Sequence, residues 1–474
     1  MLILPHLAIA KENQDTTNEQ HVTLPTLQIT EKADSLSPNQ SSVKADTLQK
    51  RFIRNFEDLA KRAEPGVNFN RTNQSINIRG LEKDRVLTTV DGIRVPYLED
   101  RVRSEKGGLD TVEFNTLSKM DIIRGANGSS NGSGSLSGSV NLYTLSPDDL
   151  LTNSKNFGTL LKTDYDTADQ SYGLNAALAG RFAQTSWLIQ AGKRQGHELD
   201  NKGHSNLYGN KRTEPEPNDN RQNNFLIKVK QDLGNGHQLG ITGEQFTKIK
   251  EIDLRTNQGT TYAVNHNDNK EKVARQRVSL DYNYRTMTAD SLLDEANTVF
   301  YWQHAERVNK QQAYRTRLPI GNFMRNNQLQ KDMYGSAGNL NKFINFAGIN
   351  QKLTLGGEWY QINAKQTANG YDACPIFTSM PSPFDPKFRL YMACSSLDTN
   401  QSDMPKTHGQ QWALYLSDQI GLANERVVIT PAVRYDHYKH TPQNTSNYKA
   451  GKILNASTLK TSKDSKVSGS LDIK

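Results

Sequence analysis

Pro65-Gly66-Val67, Ile76-Asn77-Ile78-Arg79-Gly80, Val90-Asp91-Gly92-Ile93-Arg94 and Ile122-Ile123-Arg124-Gly125 follow one another in the chain. The run Gly132-Ser133-Gly134-Ser135-Leu136-Ser137-Gly138-Ser139-Val140 then leads to Thr144. These are short β-prone runs punctuated by glycine, which takes positive φ readily and lets two backbones approach closely. The pattern predicts a module of short strands and tight turns. No nucleophile, metal cage or phosphate-binding loop emerges from it. A glycine-rich linker between soluble domains is an alternative reading of the last run, but it leaves the preceding motifs unexplained.

Toward the N-terminus, Leu48, Phe52, Phe56 and Leu59 fall at helical spacing between Thr47 and Arg62, and Pro65 closes the segment. This predicts one short amphipathic helix packed on the sheet. Residues 11–44 are polar and lack apolar periodicity, which predicts a mobile tail. Within them Thr26-Leu27-Gln28-Ile29-Thr30 alternates as a strand would. The first ten residues are apolar and close on Ala8-Ile9-Ala10, a small-x-small cleavage pattern without the usual basic start. They are read as the tail of an export signal that begins upstream, with an ordinary apolar terminus as the alternative.

Toward the C-terminus the chain changes to period-two strands. In Arg277–Arg285, Val278, Leu280, Tyr282 and Tyr284 alternate with Arg277, Ser279, Asp281, Asn283 and Arg285. One face suits lipid and the other water. Phe225, Ile227, Val229 and Leu233 share this phase, and Asn235-Gly236 turns the chain into Leu239 and Ile241. Further alternating runs lie at 296–304, 353–359, 412–420, 429–435 and 467–473. Short turns near Ala183, Gly234, Gly348 and Ala423 alternate with long polar connections near 196–222, 249–273, 308–331, 363–407 and 438–464. Turns on one side and long loops on the other mark an outer-membrane barrel. Mean hydropathy is −0.74 over 474 residues, and no stretch nears the ~20 apolar residues of a membrane helix. Barrel strands escape that test because they alternate. The net charge of +8 is spread too thinly to mark a nucleic-acid surface,. Cys374 and Cys394 are a candidate loop disulfide, since neither has a second Cys or His at metal-ligand spacing.

In order and spacing, the motifs between Pro65 and Thr144 resemble the plug domain of the TonB-dependent outer-membrane receptors. The resemblance implies an N-terminal α+β plug at 45–150 followed by a transmembrane antiparallel β-barrel at 157–474. It implies a tail at 11–44 in which Thr26–Thr30 is the TonB box, pairing by strand addition with the TonB energy-coupling protein; a short tail strand with no partner is the alternative reading of the same five residues. About twelve strands are present, roughly half of what this family uses, and the chain ends mid-strand at Lys474 without a terminal aromatic. The expectation is a C-terminally truncated chain, since an open edge cannot be left in lipid.

Gly107–Leu117, Thr144–Leu150, Gly196–Gly203 and Asn400–Pro405 are similar to the haem and haemoglobin branch of these receptors. That implies haem, free or taken from a haemoprotein, as transported ligand, with no resident cofactor and a monomer in the membrane. Plug and barrel histidines used by that branch are missing here. Tyr97 is therefore the candidate iron ligand in the plug, with Arg94, Arg101 and Arg103 as candidates for the haem propionates. The alternative is a packed Tyr97 and a solvated arginine loop. In the barrel, His437 shares the lipid phase of Val433 and Tyr435, leaving His440 as the candidate. Ferric-siderophore and transferrin-type receptors, a passive barrel or adhesin, and an inactive fragment are the other readings. No paired carboxylates or triad suggest an enzyme.

Overall fold

The computed structural model describes residues 39–100, 102–103, 105–125, 132, 134–151, 155–286, 291–317, 320–346, 348–372, 380–381, 389–390, 402–445, 448 and 459–473. The segments Met1–Ala10 and Thr26–Thr30, and residues Arg101, Cys374 and Cys394, lie outside the described residues. Among the described residues, no helix is long and apolar enough to cross a membrane.

The first module contains β1 (Gln40–Lys44), α1 (Ala45–Lys50), α2 (Phe56–Arg62), β2 (Val67–Asn70), β3 (Ser75–Ile78), β4 (Leu81–Glu82) and β5 (Val86–Val90). It continues through β6 (Ile93–Arg94), β7 (Leu98–Asp100), β8 (Glu105–Gly107), β9 (Leu117–Arg124) and β10 (Gly138–Thr144). The central sheet runs β1-β9-β10-β5-β6, with β10 parallel to β5 and the other pairs antiparallel. Leu59, Ile76, Ile78, Met120, Ile122, Val140 and Leu142 fill the core under it, none more than 1 % exposed. Burying each large aliphatic side chain contributes about 2 kcal/mol.

The sequence motifs mark specific backbone features. Arg79-Gly80 and Asp91-Gly92 close the β3–β4 and β5–β6 hairpins with φ of 52°/84° and 50°/79°, the positive pair that a type I′ turn uses. Gly138 has φ 152°, and a Cβ there would strike the Ile123 carbonyl oxygen on β9. The single helix expected from Thr47 to Arg62 is two. Phe52 takes φ 51° just beyond α1 and is 63 % exposed, while Ile53 fills the core position. Asn55 then caps α2, its side-chain oxygen accepting from Asp58 N at 2.8 Å, a bond that satisfies an orphan helix donor. β1 begins five residues before α1, in a stretch without apolar periodicity, because it pairs through its backbone with β9.

After α3 (Pro147–Leu150) come β11 (Phe157–Asp166), β12 (Ser171–Phe182), β13 (Thr185–Gly196), β14 (Asn218–Gly234), β15 (His237–Asp253) and β16 (Tyr262–Arg285). Then follow β17 (Glu295–Arg315), β18 (Gly321–Phe346), β19 (Ile349–Asp372), the two-residue β20 (Met380–Pro381) and β21 (Arg389–Leu390), β22 (Lys406–Leu422), β23 (Val427–Gln443) and β24 (Ser462–Ile473). All except β20 and β21 join one antiparallel sheet of twelve strands, ordered as in the chain, from β11 at one edge to β24 at the other. Its two faces differ as the alternation predicts. On β16, Val278 and Leu280 are 52 % and 43 % exposed, whereas Arg277 and Ser279 are buried toward the plug.

The strands are longer than the apolar alternation suggests. β16, β18 and β19 have 24, 26 and 24 residues, against the ~9–11 that span a bilayer. Much of each connection expected at 249–273, 308–331, 363–407 and 438–464 is therefore strand. A strand projecting beyond the hydrocarbon has no lipid face, so it loses its apolar alternation and reads as loop. Outward-facing Trp302, Tyr334, Trp359, Trp412 and Tyr435 lie on neighbouring strands, with Tyr334–Trp359 at 6.3 Å and Trp412–Tyr435 at 5.1 Å. Such a belt marks a membrane–water boundary. From Trp302 to Arg315, β17 projects ~43 Å along its own direction toward the long-connection end, at the usual strand rise,.

Candidate functional site

The candidate site is the contact between the first module, here called the plug, and the twelve-strand sheet that forms its wall. Near the short-turn end it centres on Asp91, in the β5–β6 turn. Asp91 accepts from Thr144 N at 2.8 Å and Thr144 Oγ1 at 2.6 Å, tying the turn to the end of β10. From the wall, Arg277 Nη2 approaches Asp91 Oδ2 at 2.8 Å, Arg277 Nη1 donates to Val90 O at 2.8 Å, and Lys228 Nζ stands 3.4 Å from Asp91. Glu244 holds the other side of Arg277 at 3.0 Å and also Arg275 at 2.6 Å. Burial pushes the Asp91 carboxyl up, but Lys228, Arg277 and the Thr144 bonds outweigh it and hold it well below the usual carboxylate range. The plug is thus docked by a buried ionic cluster in which each charge has a partner.

A second layer lies toward the long-connection end. Arg307 reaches Glu105 and Asp110 of the plug at 2.9 Å each, and Asn309 donates to Glu105 at 2.6 Å. Asp100 is fully buried; it accepts from Val102 N at 2.9 Å and Arg103 N at 3.1 Å, and Asn327 of the wall donates to it at 3.1 Å. Gln303 donates to Arg94 O at 2.6 Å, and Lys331 donates to Tyr97 O. Small apolar contacts join these polar ones, with Ile93 among Tyr301, Met333 and Tyr360, and Leu98 against Ala305 and Leu329. Beside the inner layer, on its short-turn side, lies a cavity of about 800 Å³ whose lining includes Asp91, Tyr143, Lys228, Lys230, Asp281 and Glu358. Tyr143 stays a neutral phenol, pushed up to about 12 by burial and the nearby Asp121.

The structure disperses the predicted ligand residues. Tyr97 is 7 % exposed and donates its hydroxyl to Asn73 O at 2.7 Å. Burial, with Glu99 and Asp84 nearby, drives its phenol upward. Arg94 is directed at the wall, 3.8 Å from Glu358 and over the Tyr360 ring at 5.6 Å, and stays charged despite burial because Tyr360 and Glu358 favour the cation. Arg103 meets Asp403 at 2.5 Å. Both described arginines thus already hold carboxylates of the wall. His437 packs on Trp412 at 5.7 Å on the outer face, the phase its alternation predicts. His440 lies on the opposite phase of β23, 5.6 Å from Tyr438. The residues Glu244, Arg275 and Glu358 of these contacts escape sequence reading. Their one signal is charge at inward positions of strands whose other face is apolar, the pattern that Arg277 displays.

The chain matches two family models: the TonB-dependent receptor plug domain over residues 32–139, and the TonB dependent receptor-like β-barrel over residues 210–474. Among curated proteins it is 30 % identical to hemoglobin-binding protein A of Haemophilus influenzae over 237 residues, covering 46 % of this chain and 23 % of that protein. It is 28 % identical to transferrin-binding protein A of Neisseria meningitidis serogroup B over 216 residues, covering 42 % and 24 %. These alignments therefore span about a quarter of each relative. Among solved structures, the FrpB iron transporter of Neisseria meningitidis superposes with a TM-score of 0.64 at 15 % identity, over 92 % of this chain and 62 % of that one. The Serratia marcescens hemophore receptor HasR, in complex with its hemophore HasA and heme, gives 0.62 at 16 %, over 92 % and 59 %.

Proposed function

The chain belongs to the TonB-dependent receptors of the bacterial outer membrane, and from that premise we propose that it serves the import of haem, free or drawn from a haemoprotein. The plug is the gate, and a TonB partner acting on the N-terminal segment around Thr26–Thr30 supplies the work. The observation that carries the gating is the chemistry of the plug–wall contact. Most of its contacts are hydrogen bonds and ion pairs, which water can replace as the plug shifts, whereas a large apolar seam would have to be exposed at ~25 cal/mol per Å². The cavity beside Asp91 supports the same reading, because Lys228, Lys230 and Asp281 in its lining let water reach the inner cluster.

The choice of haem rests on relatives whose names record haemoglobin binding. The transferrin-binding relative favours a second reading, iron taken from a transferrin-type protein. Competition binding separates them. Outer-membrane vesicles carrying the protein are titrated with haemin in the presence of haemoglobin, iron-loaded transferrin or a ferric siderophore. Haem import predicts saturable haemin binding displaced by haemoglobin alone. Displacement by transferrin, or binding of ferric chelates without haemin, overturns it.

A further inference from the structure

Two arginines and two aromatic rings meet on the plug-facing side of the wall, at the long-connection ends of β16 to β19. Arg315 shares its phase with Gln303 and Arg307, which touch the plug, and Arg325 and Phe323 share theirs with Leu329 and Met333; the β17–β18 and β18–β19 registers run without a bulge. Arg325 Nη2 binds both oxygens of Asp372, at 3.1 and 2.9 Å, and Arg315 pairs with the same carboxylate. The two guanidinium carbons lie 4.6 and 4.5 Å from the centroid of the Phe323 ring, and Tyr262 stacks on Phe323 at 5.8 Å and 17°.

Charge does not balance in this group. Asp372 is 2 % exposed and neutralises one guanidinium, yet it faces two, whose side chains are 12 % and 20 % exposed. Arg315 Nε is buried with no hydrogen-bond partner among the described residues. Such a nitrogen costs stability until an acceptor reaches it. Elsewhere at this end the plug arginine Arg103 has its own carboxylate in Asp403. Phe323 is buried between the two guanidiniums and Tyr262, so the open part of the group is the surplus guanidinium beside the half-buried Tyr262 ring; that fits a planar ligand carrying carboxylates, which guanidinium grips with paired N–H groups.

Resting on the haem reading above, we infer that Arg315, Arg325, Phe323 and Tyr262 form an outer receiving site for the carboxylate edge of a porphyrin. The carboxylate displaces part of the Asp372 contact and the ring lies along Tyr262, which Phe323 backs. The site lies on the projecting part of the wall, so the ligand meets it before it reaches the plug.

The test uses the full chain in outer-membrane vesicles, with metal-free protoporphyrin IX and its dimethyl ester as probes, so that iron ligation plays no part. Wild type is expected to bind the diacid about tenfold tighter than the diester, the worth of one charge-assisted hydrogen bond. Arg325→Gln with Arg315→Gln should erase that ratio and leave diester affinity unchanged. Asp372→Asn, which removes the competing internal carboxylate, should strengthen diacid binding. Equal weakening of both probes in the arginine variant, or no gain with Asp372→Asn, shows a cross-strand tie only and overturns the inference while leaving haem import standing. A wild type that binds neither porphyrin but does bind iron-loaded transferrin overturns both.

Discussion

Replacing Asp91 by alanine should loosen the plug from the wall. The substitution removes two bonds to Thr144 and leaves Arg277, whose side chain has no solvent exposure, and Lys228, 11 % exposed, without their plug carboxylate, each keeping one plug carbonyl, Val90 O and Thr144 O. Breaking a buried ion pair costs 3–5 kcal/mol. Here Glu244 stays on Arg277 at 3.0 Å, and the adjoining cavity admits water to the 22 % of the Asp91 side chain that is open. The expected cost is therefore about 2–3 kcal/mol, a factor of roughly thirty to a hundred and fifty in the undocked population. Hydrogen exchange of peptides spanning 86–95 and 138–144, in the wild type and in Asp91→Ala, reads that population. Asp91→Asn keeps an acceptor for Thr144 N and should fall between them. The exposed pair of Asp148 with Arg181 supplies the control, since Asp148→Asn should change exchange by less than about twofold,. Protection unchanged in Asp91→Ala would refute the docking role.

Other expectations follow from the same geometry. Because the folded-state pKa of Asp91 is depressed, its contribution is fully present above the unfolded value of about 3.9 and fades only as pH falls below it,. Exchange in 86–95 should therefore show no Asp91-linked loss between pH 7 and 5. Glu113 is pushed the other way by burial, against bonds from Asn115. Its ionisation thus opposes folding as pH rises, and Glu113→Gln should raise the plug's unfolding midpoint in denaturant at pH 7 and flatten its dependence on pH. Gly138→Ala forces a Cβ onto the Ile123 carbonyl at φ 152°, and should cost about 2–3 kcal/mol in the same titration. Leu59→Ala, in a fully buried position, should cost about 2–5 kcal/mol,.

What the sequence makes legible depends on whether an element has two different faces. Arg277–Arg285 does, and its phase is read correctly down to Arg277 on the inner side. The Asp91-Gly92 and Arg79-Gly80 turns are equally legible, because the second position of each needs the positive φ that glycine supplies,. In the plug the signal fails. All five residues of β5 are buried, so no alternation distinguishes inside from outside, and nothing local reveals that Tyr97 is turned into the module. Arg94 and Arg103 look like free cations for the same kind of reason. Their partners Glu358 and Asp403 are about 260 and 300 residues away in the chain. The length of the strands is hidden because outside the bilayer both faces are polar. Within the helical stretch, periodicity counts Phe52 as core, and only the left-handed turn after α1 gives that place to Ile53.

The central claim is a plug-gated haem import driven from the N-terminal segment, and it is tested most directly by deleting residues 24–30 in a receptor built on this plug and wall. Haemin binding to cells and haemin-dependent iron accumulation are then measured side by side. The account predicts that binding stays at the wild-type level while accumulation is lost. Normal accumulation after the deletion would contradict it.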